Sequence, residues 1–452
     1  MYRWYGRFSH CACSPAVGFP QCGVLLEQGM RFSQRTDWNT EESDLARAHR
    51  MRREAGLPIT DLTASNPTRC GFTYPRSLLD ALADPRAIDY DPQPKGLLIA
   101  REAVCNYYAG HNVALDPDQL VLTASTSEAY SFLFRLLCDS GSEVLVLQPG
   151  YPLFDFLAQL DDVRLTAAPL VHDHGWQIDP EAIRRAISSR TRAIVAVHPN
   201  NPTGHFTKAW EAAELAKICR DCGLSLIVDE VFLDYGKTGD KGTSGQGDEN
   251  TGTEGPSEQG NKDAGSEKAG IGSFAGGLEG VPVFVVSGLS KIAGLPQMKA
   301  AWIVATGPER QMALDRLEVI ADTFLSVSTP VQLALPAWLA EASAIQEQIR
   351  NRVTANLAVL DRLLARLPSV GRLKVEGGWY AVLRVPALQP DVQTVLALLE
   401  KGVWVHPGYF FGMPDSGWLV VSLLPPELEF LQGVTRLVNH FGKDQRSNTK
   451  EG

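Results

Sequence analysis

From Leu120 onward, short apolar runs alternate with segments of helical periodicity, and no other feature constrains the fold as strongly. The runs are 120–123, 143–147, 163–167, 193–197, 224–228, 281–286 and 301–304. Strands that are apolar throughout, spaced by helices, form a mostly parallel sheet covered on both faces. The expected class is therefore α/β, with a seven-stranded sheet in a large domain. After Arg310 come long helical patterns to about Leu367. Short strands at 371–375, 379–385, 403–405 and 418–422 then alternate with helices, which reads as a smaller α+β domain. The expected division is a segment 30–85 packing on the small domain, a large domain 86–324, a small domain 325–445 and a tail 446–452.

Two stretches break the pattern. Residues 1–29 are irregular and rich in Gly, Pro and Cys, and read as a disordered extension. Residues 236–280 are dominated by Gly, Ser, Thr, Glu, Asp and Lys, with almost no large apolar side chain before Ile271. Such a tract buries too little surface to offset its ordering entropy. It is expected to be a disordered insertion, tolerated because loop-closure cost grows slowly with length.

At 452 residues and 44% hydrophobic, the chain can bury two cores. A formal net charge of -10 without a basic cluster argues against nucleic-acid or anionic-membrane partners. No apolar stretch suits a membrane span, and 1–29 has no signal-peptide h-region, so a cytoplasmic location is expected. Cys219 and Cys222 form a C-x-x-C at the end of an expected helix, not at the N-terminus where a redox pair gains from the helix dipole. His10, Cys11, Cys13 and Cys22 are too irregularly spaced for a metal site, and no metal is expected.

Chemistry gathers at strand ends. Asn200-Asn201-Pro202-Thr203-Gly204 closes the 193–197 run, Asp229-Glu230 closes 224–228, and Ser287-Gly288-Leu289-Ser290-Lys291 follows 281–286. In open α/β sheets, ligands bind outside the carboxyl ends of strands. An amide, a carboxylate and an amine placed there suit pyridoxal 5′-phosphate (PLP), whose aldehyde needs an amine and whose ring nitrogen needs an acid. Lys291 would hold the aldehyde as a Schiff base, and Asp229 would pair with the ring nitrogen. Asn201 would donate to the ring oxygen and Tyr151 would stack on the ring. Thr126 and Ser127, entering a helix, would cradle the phosphate. Ser287 and Ser290 precede the lysine and join the cofactor-binding set. Each alone has a plainer reading: solvated lysine, Asn-Pro turn, helix cap, core tyrosine. Their order at successive strand ends makes the joint coincidence improbable.

At these residues the chain resembles the class I/II, fold-type I PLP-dependent aminotransferases, and looks closest to a bacterial subgroup of them. The resemblance runs from about Phe32 to Phe441, outside the glycine-rich tract. Met30 stands as an alternative start, because the segment that resembles the family begins there. It rests on the segment Leu62 to Thr68, His198 to Gly204, Asp229 to Phe232, Ser287 to Lys291 and Gly377 to Tyr380. It implies a homodimer with shared sites, in which Tyr90 reaches the partner's cofactor phosphate, and substrates that are an amino acid and a 2-oxo acid. Three positions depart from the family. Lys299 stands where a phosphate-binding arginine is usual, and Phe232 where a tyrosine is common. Val420 stands where an arginine clamps the substrate carboxylate. Asn66 and Arg69, in a loop resembling one that closes over substrate, are the alternative substrate contacts. The leading reading is a transaminase. The alternatives are a carbon–sulfur lyase on the same fold and a non-catalytic PLP-binding domain.

Overall fold

The computed structural model describes residues 32–173, 175–236, 271–414 and 416–448. Its strands, in chain order, are β1 Thr60–Asp61, β2 Leu120–Thr123, β3 Glu143–Gln148, β4 Arg164–His172, β5 Trp176–Ile178, β6 Thr191–Val197, β7 Ser225–Asp229, β8 Val283–Gly288, β9 Ala301–Thr306, β10 Gly371–Arg372, β11 Tyr380–Arg384, β12 Val403–Trp404, β13 His406–Pro407 and β14 Trp418–Ser422. The large sheet has the order β2-β9-β8-β7-β6-β3-β4-β5. It holds eight strands among the described residues, one more than expected. The extra strand is β5, which turns back antiparallel on β4 through Leu170↔Ile178 and is too short to show periodicity.

The topology aligns the strand ends. β3, β6, β7 and β8 are linked by parallel pairings, with Val197 opposite Asp229 and Asp229 opposite Val286. β9 is antiparallel to both β8 and β2, so β2 runs in the same direction as β8. Thr123, Gln148, Val197, Asp229 and Gly288 therefore end on one edge. Helices cover both faces, which is why the core strands are apolar on both sides.

The smaller sheet is antiparallel, in the order β10-β11-β14-β13, and β1 pairs with β12 beside it. Leu45 and Leu62 join this small core, but Leu78 packs in the large one, where Trp338 donates to its carbonyl at 2.8 Å. The expected boundary after 324 also differs. Helix Thr329–Ala340 packs on helix Leu98–Ala109 in the large core. Helix Ala342–Leu364 then crosses from Ala342 in the large core to Leu357, Leu360 and Leu364 in the small one. Periodicity reveals an apolar stripe, not the core that receives it.

Of the expected insertion 236–280, residues 237–270 lie outside the described residues, but its end is folded. Phe274 and Ala275 are fully buried, and the Ile271 amide donates to the Thr207 carbonyl at 3.0 Å. The last helix, Glu427–Asn448, runs past the expected boundary at 445. Residues 1–31, with the N-terminal cysteines, and 449–452 lie outside the description. No helix among the described residues is long and apolar enough to cross a membrane.

Candidate active site

Asp229 is the last residue of β7. Strand alternation puts Ile227 and Asp229 on the face covered by helix Thr126–Leu137. The helix begins where Ser125, in extended conformation, accepts from the Glu128 amide at 3.2 Å. Tyr130, on its buried side, donates its hydroxyl to Asp229 Oδ2 at 3.1 Å, and the Val231 amide donates to Oδ1 at 3.1 Å. Burial pushes the carboxyl up to about 6, against the pull of Val231, Tyr130 and Lys291.

Lys291 lies in the single helical turn Leu289–Ile292 directly after β8. The turn needs glycine before it: a Cβ at Gly288 would lie 2.7 Å from the Ala301 Cβ and 2.9 Å from the Ala300 carbonyl. Tyr235 Oη donates to the Lys291 carbonyl at 2.7 Å, fixing the backbone. The amine stands 5.0 Å from the centre of the Trp379 ring and 5.7 Å from that of Phe232. Burial draws the amine down to about 8, with Asp229 opposing. A neutral lysine carries the lone pair that nucleophilic attack requires.

Asn201 sits in a turn fixed by its neighbours. Thr203 donates its hydroxyl to Asn200 Oδ1 at 2.7 Å, and the Gly204 amide donates to the Asn200 carbonyl at 2.8 Å. Gly204 has φ +71°, and a Cβ there would meet the Gly377 carbonyl at 2.5 Å. The carboxamide oxygen of Asn201 and the Ser287 hydroxyl are buried without a hydrogen-bond partner. Buried polar atoms are normally satisfied, so two orphans at this edge fit a polar ligand such as PLP.

The remaining expected residues divide. Thr126 and Ser127 are half-buried in the first helical turn, beside free amide groups. Tyr151 follows β3 with its ring edge-on to Phe154 at 5.6 Å, and its loop is tied to the small domain by Gly150 N–H donating to the Phe411 carbonyl at 2.9 Å. Ser290 is half-buried in the lysine's own turn. Lys299 is exposed, with φ +54°, in the turn before β9. Tyr90 is 80% exposed and lines a cavity of about 280 Å³ with Gln93, Phe132 and Ser326. Arg69 is exposed on a turn whose Pro67 lies against Gly294, three residues beyond the lysine. Asn66 is exposed, and its oxygen is engaged in capping Thr68, at 3.1 Å from the amide and 2.9 Å from the hydroxyl. Val420 is fully buried in β14, paired with Val382 and His406. Cys219 is buried, and burial pushes its thiol up to about 12, which makes it a poor nucleophile.

Sequence reasoning missed Tyr130, Tyr235 and the placement of Trp379 over the lysine. Tyr130 had one available signal: it lies four residues after Thr126, on the face of the helix turned to the sheet.

Fold and strand-edge lysine together define an α/β transferase of fold type I. The chain belongs to the class I and II aminotransferase family, which it matches over residues 74–429. It is 26% identical over 410 residues to an alanine aminotransferase of Mycobacterium tuberculosis, covering 86% of this chain and 87% of that protein. It is 24% identical over 390 residues to nicotianamine aminotransferase 1 of Oryza sativa, covering 82% and 72%. The solved alanine aminotransferase from Pyrococcus furiosus superimposes with a TM-score of 0.77 at 23% identity, over 91% of this chain and all of that one. The chain is an aminotransferase of a PLP-dependent family, and the relatives' names favour transamination over the lyase reading.

Proposed function

We propose that this aminotransferase moves an amino group between an amino acid and a 2-oxo acid, using PLP attached to Lys291. The observation that carries the assignment is the half-buried Lys291 at the strand edge, its amine lowered in proton affinity with the Asp229 carboxylate opposing. When bound, PLP supplies an aldehyde that condenses with amines and a ring that withdraws electrons. Lys291 Nζ would attack the aldehyde, then, once displaced by substrate, carry the substrate's α-proton as base and acid. Asp229, held by Tyr130, would keep a proton on the ring nitrogen. Asn201 would donate to the ring oxygen, and Tyr151 would lie on the ring. Thr126, Ser127, Ser287 and Ser290 would hold the phosphate, with charge from Lys299 nearby. The rings of Phe232 and Trp379 would line the pocket beside the amine.

The homodimer belongs to the same reading. Ile88 and Tyr90 are 90% and 80% exposed, next to the cavity lined by Tyr90. A second copy would cover them and place the partner subunit's Tyr90 near the phosphate. Spectra of the loaded enzyme mixed with single amino acids, with no 2-oxo acid present, test the reaction type. Loss of the visible band with release of the matching 2-oxo acid supports transamination. Release of ammonia or a thiol instead would replace it with a lyase.

A further inference from the structure

One carboxylate from the small-domain side of the chain holds two active-site loops. Glu376 lies between β10 and β11. Its Oε2 accepts from the Phe206 amide at 3.1 Å and from Lys208 Nζ at 2.7 Å, and stands 3.6 Å from His205 Nδ1. Its Oε1 accepts from Lys374 Nζ at 2.8 Å. On the other side, His205 Nε2 meets Glu211 Oε2 at 2.9 Å. Glu211 is fully buried in helix Ala209–Cys222, where it also accepts from the Ile178 amide at 2.8 Å and the Lys208 amide at 2.6 Å.

Both ends lead to the site. The His205 carbonyl accepts from the Asn200 amide at 2.8 Å, so the histidine backbone closes the turn that carries Asn201. Beyond Glu376, Gly377 bridges to Gly236, Gly378 donates to the Tyr235 carbonyl at 3.0 Å, and Trp379 follows over the Lys291 amine. We propose that Glu376 and His205 are positioning residues for transamination, setting Asn201 and Trp379 against Lys291 through one partly buried ionic cluster. The proposal rests on the assignment of Lys291 and Asn201 to the cofactor site.

The two carboxylates favour the charged form of the histidine. Burial would lower His205, but its hydrogen bond to Glu211 and the nearby Glu376 carboxylate outweigh that and raise it. Burial would raise Glu376, but His205, Lys208 and Lys374 together hold it far below the carboxylate range. The other titratable neighbour, His198, is pushed by burial down to about 4 and is neutral. A histidine raised in the folded state contributes fully below its ordinary pKa, and the contribution is lost as pH rises through the raised value. The lock therefore loosens on the alkaline side.

The test compares the holoenzyme with Glu376→Gln, His205→Gln and the milder Lys208→Gln. The readouts are kcat/KM against pH, the Kd of the apoprotein for PLP, and Tm. Displacing catalytic groups by about 1 Å costs about a hundredfold in rate. Glu376→Gln should lower kcat/KM by roughly tenfold to a hundredfold and weaken PLP binding, with Lys208→Gln smaller in the same direction. His205→Gln should abolish an alkaline step in PLP affinity that the wild type shows. Wild-type kcat/KM, PLP affinity and pH profile in Lys208→Gln and in either folded cluster variant would overturn the proposal, whatever Tm does. Whether Lys291→Ala loses the covalent link is a separate result, and it judges the site assignment on its own.

Discussion

Tyr130 and Asp229 meet across 3.1 Å between a helix and a strand end, which makes the tyrosine the support of the carboxylate. The buried charge costs stability in the cofactor-free protein. Raised in the folded state to about 6, the group binds its proton more tightly folded than unfolded. Its contribution is greatest below the ordinary carboxylate range and is lost as pH rises through about 6. Asp229→Asn should therefore raise the Tm of the apoprotein by a few degrees at pH 8, with the gain shrinking toward pH 5. PLP affinity and turnover should fall sharply, by at least about a hundredfold, if the acid pairs with the ring nitrogen. An unchanged PLP affinity would remove Asp229 from the site.

Phe232 packs edge-on to Trp379, with ring centres 5.2 Å apart, beside the Lys291 amine. A phenol there would donate to the cofactor's ring oxygen and stabilise its anion. Phe232→Tyr should move the pH midpoint of the visible absorbance change downward by roughly one unit, the size of one added hydrogen bond. A midpoint that stays or rises would show that this side chain does not face the ring oxygen.

Much of this was legible in the chain because buried parallel strands are apolar throughout and their ends are punctuated by polar residues. β2, β3, β6, β7 and β8 each stand within two residues of an apolar run. The polar residues after β6, β7 and β8 stand at one edge because the topology puts them there. β5 was illegible because three residues carry no period. The fold of 271–280 was hidden by the glycine-rich composition around it. Its ordering depends on distant partners: Glu230 accepts from the Ser273 hydroxyl at 2.8 Å and from the Phe274 amide at 2.5 Å. His205, Glu211 and Glu376 form no motif, since the contact joins residues 205 and 376, far apart in the chain.

That ordering sharpens the limits of the glycine-rich tract. Replacing 237–270 with a short Gly/Ser linker should leave activity and Tm nearly unchanged. Extending the replacement to 280 should lower Tm strongly, because it removes buried Phe274 and strands Glu230 without partners. Soluble expression and melting curves of the two proteins decide it. Equal behaviour would show that 271–280 contributes nothing.

Val420 is fully buried in β14, so if this is the family's carboxylate-clamp position, as the resemblance implies, the substrate carboxylate would need another cation. The Arg69 amide donates to the Asn66 carbonyl at 2.9 Å, its guanidinium makes no ion pair among the described residues, and Pro67 of the same turn lies against Gly294. Arg69→Ala should weaken substrate binding by about 1.5–3 kcal/mol, seen as a raised KM, with PLP still bound. Wild-type KM across a panel of amino acids would exclude it.

Everything proposed for the site turns on Lys291 as the point of cofactor attachment. Borohydride reduction of the PLP-loaded protein, followed by protease digestion and mass spectrometry, reads it directly. The visible band should be lost, and the peptide containing Lys291 alone should gain the phosphopyridoxyl mass. The label on another lysine, such as Lys208 or Lys299, or a Lys291→Ala protein with wild-type turnover, would contradict it.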